Sequence, residues 1–204
     1  MIEKISVLLN AHKETYDRAT AIFQEQKAKI LEEYKTQIAV QKLKEVKDIY
    51  DQAIFASQQE TFTGCNAVLD EVREKVKDIA SRPVDANFPA VVAALKAMKN
   101  PSRAELDAIT GAYKNNYVAY RAICDLVGGE AVTGKHVATV DEVLGACDFL
   151  TGELHKAIFD NPTCYIFRLF LQGDFLARHD EFFTAFVEGR FEDAMIADNQ
   201  DGDN

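Results

Sequence analysis

The chain has 204 residues, of which 48% are hydrophobic and 27% are charged, and its formal net charge is −10. It is too apolar for an intrinsically disordered protein, and its acidity disfavours nucleic acid and anionic lipid as partners. The negative charge is unevenly distributed along the chain. Residues 1–82 contain 13 Lys and Arg and 14 Asp and Glu, whereas residues 83–204 contain 10 Lys and Arg and 19 Asp and Glu. Net acidity of the C-terminal part is expected to keep the protein soluble.

The N-terminal segment has the spacing of a long helix that packs along one narrow stripe. Its apolar and aromatic positions recur at alternating steps of four and three residues, which is the a/d pattern of a coiled coil. We call these positions the seam: Ile5, Leu9, His12, Tyr16, Ala19, Phe23 and Ile30, with the polar Gln26 at the step between the last two. The seam predicts that residues 1–60 pair with helices, in a homo-oligomer or with a helical protein partner. One amphipathic helix packed on its own chain is the alternative.

The rhythm of the seam slips beyond Ile30 and resumes at Val46. A single helix of about sixty residues would be about 90 Å long, so either part of it projects or the chain folds back near residues 38–41. The stretch Thr61–Gly64 interrupts the pattern, and an apolar stripe then runs to residue 79. The two prolines between residues 83 and 89 predict the main boundary of the chain, because proline removes backbone donors.

Shorter helices are expected beyond this boundary. Capping boxes at Ser102 and at Thr139 predict two helix starts, and Gly128 is expected to close the helix between them. Further helices are expected near residues 163–171 and 175–188. The fold class is therefore all-α, with a long N-terminal coiled-coil-like helical arm followed by a compact helical bundle. The predicted domains are the arm at 1–82, the bundle at 83–194 and a disordered acidic tail at 195–204.

The last third of the chain is rich in aromatic residues. A packed hydrophobic core is the favoured interpretation, because each ring buries a large apolar area. The sharper hypothesis is an exposed aromatic surface for a partner. The residues that can share one helical face for this purpose are Phe175, Phe182 and Phe186.

The four cysteines are scattered among apolar neighbours: Cys65, Cys124, Cys147 and Cys164. None forms a CxxC pair, so we interpret them as small buried residues in a reducing compartment and expect a cytoplasmic protein. No signal peptide is recognisable at the N-terminus, and no apolar run is long enough to cross a bilayer.

A search for catalytic patterns finds none that predicts a reaction. The stretch Gly128–Lys135 superficially looks like a nucleotide loop, but it follows a helix and lacks the spacing of a phosphate-binding loop. No HExxH or ExxH pair occurs, and His179-Asp180 alone defines no metal site. Cys147 and His155 are about two helical turns apart, too far for a catalytic pair. We predict no catalytic residue, cofactor, metal or small-molecule ligand.

A charged heptad arm over residues 5–56, followed by a compact acidic helical domain ending in residues 186–194, resembles small uncharacterised helical proteins of phages and prophages from Gram-positive hosts. The resemblance concerns general character over the whole chain and includes no diagnostic motif, so no functional residue is carried over. It implies a role such as scaffolding or another step of virion assembly. The acidic C-terminus departs from the basic helical segment with which many scaffolding proteins grip the capsid subunit.

Three functions are compatible with these patterns. The leading hypothesis is a non-enzymatic structural or assembly protein that oligomerises through its N-terminal arm, in the host cytoplasm or in a virion. The first alternative is an intracellular adaptor that binds another protein through its C-terminal bundle. The second alternative is an unrecognised helical metal-dependent hydrolase around His155 and His179.

Overall fold

The computed structural model describes residues 1–99, 101–128, 136–160, 170, 173–191 and 193–194. In these ranges the chain forms α-helices and one π-helical turn, and no strand. The helices are α1 (Glu3–Glu33), α2 (Thr36–Ser81), α3 (Phe88–Ala97), α4 (Arg103–Tyr113), α5 (Tyr117–Val127), α6 (Val140–His155), which the π-helical turn Lys156–Asp160 continues, and α7 (Phe175–Val187). The prediction of an all-α fold, with long N-terminal helices followed by shorter packed helices, is confirmed.

The N-terminal arm consists of two helices, so the single rod is excluded. The break lies at Tyr34, whose backbone is extended with φ −118° and ψ 141°, and whose N–H still donates to the carbonyl of Ile30. This break precedes the fold-back expected near residues 38–41, and neither proline nor glycine marks it in the sequence. Contacts between α1 and α2, described below, show that the two helices run antiparallel.

Helix α2 continues through Thr61–Gly64, so the predicted interruption there is wrong. The reason is that Gly64 lies inside α2, where it allows a side chain of α1 to pack closely, and does not end the helix. A Cβ atom at this position would lie 3.0 Å from Cδ1 of Leu8, a side chain of α1. The glycine therefore permits the close approach of α1, at the expense of the lower helix propensity of glycine.

Contacts between residues divide the chain into two units. The hairpin unit comprises Ile2–Leu69 and Leu150–Leu176. The bundle unit comprises Met1, Asp70–Phe149 and the residues from Ala177 onwards. Helices α2, α6 and α7 each contribute residues to both units.

The bundle unit begins its helices with the capping boxes that the sequence predicts. At α4, the Ser102 side chain accepts from the backbone N–H of Glu105, and the Glu105 carboxylate accepts from the N–H of Ser102. Thr139 and Glu142 make the same reciprocal pair at α6, with distances of 3.1 and 2.6 Å. Gly128 ends α5 in the left-handed conformation with φ 95°, as expected for a glycine there.

Two clusters of side chains hold the bundle unit together. Leu95, Leu106 and Ile123 form an apolar cluster between α3, α4 and α5. Tyr117 of α5 packs on two rings that also contact each other, with centroid distances of 5.2 Å to Phe186 and 5.2 Å to Phe191. The hydroxyl of Tyr117 also accepts from the backbone N–H of Val140, which attaches the start of α6 to α5.

Several sequence predictions lie outside the described residues. They concern the loop at 129–135, Cys164, most of the helix expected near 163–171, and the tail at 195–204. Among the helices that are described, none combines the length and the apolar character needed to cross a membrane.

Candidate functional site

The seam of α1 packs against α2 of the same chain. A hydrogen bond of 2.7 Å joins Nδ1 of His12 and Oγ of Ser57. Eight residues further along α1, the hydroxyls of Thr20 and Tyr50 lie 3.3 Å apart. The ring of Phe23 lies 5.1 Å from the ring of Tyr50. The residue numbers of the partners on α2 therefore decrease as those on α1 increase, which is the register of an antiparallel helical hairpin.

Burial divides the seam into a covered and an open part. The seam residues that are fully buried lie near the start of α1: Ile5, Leu9 and His12. The middle seam residues are only half-buried: Tyr16, Ala19 and Phe23. A hydrogen bond with Tyr50 raises the pKa of Tyr16, so this hydroxyl also belongs to the contact between the two helices. Ile30, near the turn, is 8% exposed.

The covered part lies at the base of the hairpin, where further elements of the same unit pack on it. The buried side chain of Gln58 donates from Nε2 to the carbonyl of Ile158, at 2.8 Å, in the π-helical turn. The ring of Phe62 lies 5.6 Å from that of Phe159 and 5.4 Å from that of His155. The base of the hairpin is therefore covered by its own chain.

The rest of the hairpin, which we call the distal half, is residues 13–53. In this segment only Ile30 and Ala39 are buried. In contrast, most of the large hydrophobic side chains that are exposed in the described part of the chain lie in or next to the distal half: Ile22, Leu31, Tyr34, Ile38, Val40, Ile49 and Phe55. The distal half therefore presents far more apolar side chains to solvent than the base does.

An apolar groove runs between the two helices of the distal half. It encloses about 120 Å³ and is lined by Ala19, Ile22, Phe23, Gln26, Val46, Ile49, Tyr50 and Ala53. These are positions i, i+3, i+4 and i+7 of both helices, so each helix contributes one face of two turns. At the rims of the groove, Ile22 is 50% and Ile49 is 68% exposed. A surface of this kind is suited to receive apolar side chains of another helix.

The sequence pattern missed part of this groove. Ile22 and Tyr50 do not belong to the seam, although Ile22 follows Ala19 at a helical step of three. The signal that identifies them is the antiparallel register of the hairpin, which places Phe23 against Tyr50. The spacing of the seam within one helix does not indicate which residues of α2 it packs against.

The three phenylalanines considered for an aromatic partner surface are all buried. Phe186 is 0% and Phe182 is 2% exposed in the bundle unit, and Phe175 is 9% exposed in the hairpin unit. Phe186 packs on Tyr117, and Phe175 lies 4.8 Å from Phe170. The three rings thus occupy core positions, where they are unavailable to a partner.

The histidines considered for a metal site lie among aromatic rings. His155 is exposed, and its ring is 4.8 Å from that of Phe159. His179 is 6% exposed and lies 6.2 Å from Phe183. In the described ranges, no three His, Cys, Asp or Glu side chains form a group that could hold a metal ion.

Two of the buried cysteines have strongly raised pKa values. Burial raises the pKa of Cys65 to about 12. Burial also raises the pKa of Cys147 to about 11, and this outweighs the opposite influence of the nearby Arg73. The Arg73 guanidinium itself is held between Asp70 and Asp148, at 2.8 Å from each.

Both thiols should resist alkylation in the native protein. At about pH 8, a thiol with a pKa near 12 is ionised in about one molecule in ten thousand, and only the thiolate is the nucleophile. Treatment with iodoacetamide followed by peptide mass spectrometry should therefore leave Cys65 and Cys147 unmodified. The unfolded protein in denaturant is the control, and there both should react. Rapid native modification of either residue would contradict the burial described.

His12 should make stability depend on pH. Burial lowers the pKa of His12 below its ordinary value of 6.5, so the folded state binds a proton less readily than the unfolded chain does. The stability gained from neutral His12 is complete above about pH 6.5 and is lost as the pH falls towards the folded pKa. Chemical denaturation between about pH 7.5 and about pH 5.5 should show a smaller loss of stability for His12→Gln than for the wild type. His155→Gln, which replaces an exposed histidine of the same unit in the same way, is the matched control.

Comparison of the chain with protein-family models, with curated proteins and with solved structures found no match. Function must therefore be inferred from the geometry of the chain itself. The distal half, with its groove and exposed hydrophobic side chains, is the feature of the described residues that departs most from an ordinary solvated helix surface.

Proposed function

We propose that this protein is a non-enzymatic structural or assembly protein that self-associates through the distal half of its N-terminal hairpin. The observation that supports this proposal is the contrast within one hairpin. The base is covered by its own chain, whereas residues 13–53 contain two buried residues and a groove lined mainly by apolar side chains. Exposed apolar side chains grouped around a groove are typical of sites of protein association.

The energetics of helices supports the same proposal. Helices in water owe most of their stability to tertiary packing of an apolar face, and intrinsic propensity adds little. In the distal half, α1 and α2 bury few side chains between them. Packing the groove against other helices would bury Ile22 and Ile49 and complete a core of four helices, which is a common stable arrangement.

The setting of this function is also part of the proposal. The chain resembles helical proteins of phages in general character, and self-association through a helical arm suits virion assembly in a host cytoplasm. The small number of buried residues in the distal half supports the assembly role, because exposed apolar side chains are what another copy would cover.

Charges placed in the groove should abolish self-association. Light scattering at several concentrations should show an oligomer for the wild type and a monomer for the double variant Ile22→Asp with Ile49→Asp. Both side chains are half-exposed or more, so the folded hairpin tolerates their replacement, and circular dichroism should confirm unchanged helix content. Phe23→Asp is less suitable, because Phe23 packs on Tyr50 inside the hairpin.

A matched control is Val7→Asp. Val7 is 65% exposed and lies on the same helix, but outside the distal half. This variant should associate like the wild type. A double groove variant that associates as strongly as the wild type would contradict the proposal.

A further inference from the structure

The groove is centred at one place along the hairpin, and this position restricts how a second copy can pack. Its midpoint lies between residues 22 and 23 on α1 and between 49 and 50 on α2. The turn at Tyr34 is about twelve residues, or about 18 Å, away from this midpoint. When the same surface is used by both copies, the contact has two-fold symmetry, and the axis passes through the midpoint of the surface.

Two arrangements satisfy this symmetry. If the axis runs along the hairpin, the two turns lie side by side at the same end. If the axis runs across the hairpin, the turns point in opposite directions, and each turn lies towards the base of the other copy. Both arrangements form a bundle of four helices from two grooves.

The distribution of charge favours opposed turns. The part of the hairpin nearest the turn, residues 24–47, contains six lysines and four glutamates, so its net charge is +2. The remaining hairpin residues, 2–23 and 48–69, contain three basic and six acidic residues, so their net charge is −3. Opposed turns place the positive part of each copy against the negative part of the other, whereas turns at the same end place like charges together.

The pattern of burial on α1 also agrees with opposed turns. With the axis at the midpoint of the groove, the turn of one copy reaches about twelve residues beyond the midpoint on the other copy. The overlap therefore ends near residue 11 on α1 and near residue 62 on α2. Beyond the groove, the first buried residue on α1 is His12, which lies at this limit, whereas on α2 it is Ile54, which lies inside the overlap. On α1, a second copy would thus cover the part of the helix that its own chain leaves open.

We infer that two copies of this chain pack groove to groove with their turns opposed, which forms an antiparallel four-helix bundle over the distal halves. This inference rests on the proposed function, because it names the partner and the arrangement of that self-association. Its chemistry is that of apolar side chains in the bundle core, flanked by complementary charges on the two copies.

Distances between spin labels test the arrangement. One labelled variant is Gln37→Cys, next to the turn, and the second is Ala21→Cys, next to the proposed axis. Both native residues are exposed. Opposed turns predict a distance between copies of roughly 40 Å for Gln37→Cys, which is twice the rise from the midpoint to the turn. Ala21→Cys should give about 20 Å or less in either arrangement, because neighbouring helices of a bundle are separated by about 10 Å. Wild-type protein treated with the same label measures the background from native thiols.

The two variants separate the failure of the arrangement from the failure of the proposed function. A long distance for Gln37→Cys with a short one for Ala21→Cys supports opposed turns. Short distances for both variants would show a dimer with its turns at the same end, and would overturn the arrangement alone. The absence of any dipolar signal from both variants, in protein that light scattering shows to be monomeric, would overturn the proposed function as well.

Discussion

Replacing Phe186 with alanine should lower the free energy of unfolding by about 3–5 kcal/mol, the usual range for a fully buried phenylalanine. Phe186 is 0% exposed, and its ring packs on those of Tyr117 and Phe191 at 5.2 and 5.3 Å. Removing the ring loses its hydrophobic burial and leaves a cavity between two aromatic neighbours. Denaturation by urea, followed by circular dichroism, measures the change.

Phe149→Ala is the matched control within the same unit. Phe149 is 46% exposed, so its loss should cost less than about 1 kcal/mol. If the two variants were equally stable, Phe186 would be accessible, and the aromatic surface for a partner would again be a candidate. The pair of variants therefore tests which of the two interpretations of the aromatic C-terminal third is correct.

Replacing Leu9 with alanine should lower the free energy of unfolding by about 2–5 kcal/mol without weakening self-association. Leu9 belongs to the seam but is 0% exposed at the base of the hairpin, where the own chain supplies the packing. Denaturation of dilute protein measures the stability, and light scattering of the folded variant measures the association. A seam that pairs copies along its whole length predicts the opposite result for association.

Leu31→Ala provides a comparison on the same helix. Leu31 is 57% exposed and does not line the groove, so its truncation should change stability by less than about 1 kcal/mol. A loss of stability as large as that of Leu9→Ala would show that the distal half is packed by its own chain, contrary to the structure.

Local sequence signals predicted the helices well where a specific chemical device marks their ends. The capping boxes at Ser102 and Thr139 and the left-handed Gly128 were all read correctly, because each satisfies backbone groups within a few residues. The turn at Tyr34 carries no such device, so only a slip in the heptad rhythm indicated it. The prediction of a helix interruption at Gly64 is wrong. In a sequence, a glycine that ends a helix cannot be distinguished from one that makes room for a side chain of another helix, here Leu8.

The candidate site was only partly predictable for a similar reason. Heptad spacing shows that one face of α1 packs against helices, but it does not show which helices. His12 illustrates this, since a polar residue in the seam is compatible with a register-setting position in an oligomer. In the structure its imidazole bonds to Ser57 of the same chain. Ile49 lies on the heptad stripe that resumes at Val46, but the groove depends on two helices and their register, so its other exposed rim at Ile22 follows from the fold and not from a linear pattern.

The most direct test of the central claim is the mass of the full chain in solution as a function of concentration. Sedimentation velocity of the wild type should show a species of twice the chain mass of 22.8 kDa at high concentration. On dilution this species should give way to the monomer, because association through one groove per copy follows mass action. A single species of 22.8 kDa at every concentration would contradict the claim that the distal half of the hairpin joins copies of this protein.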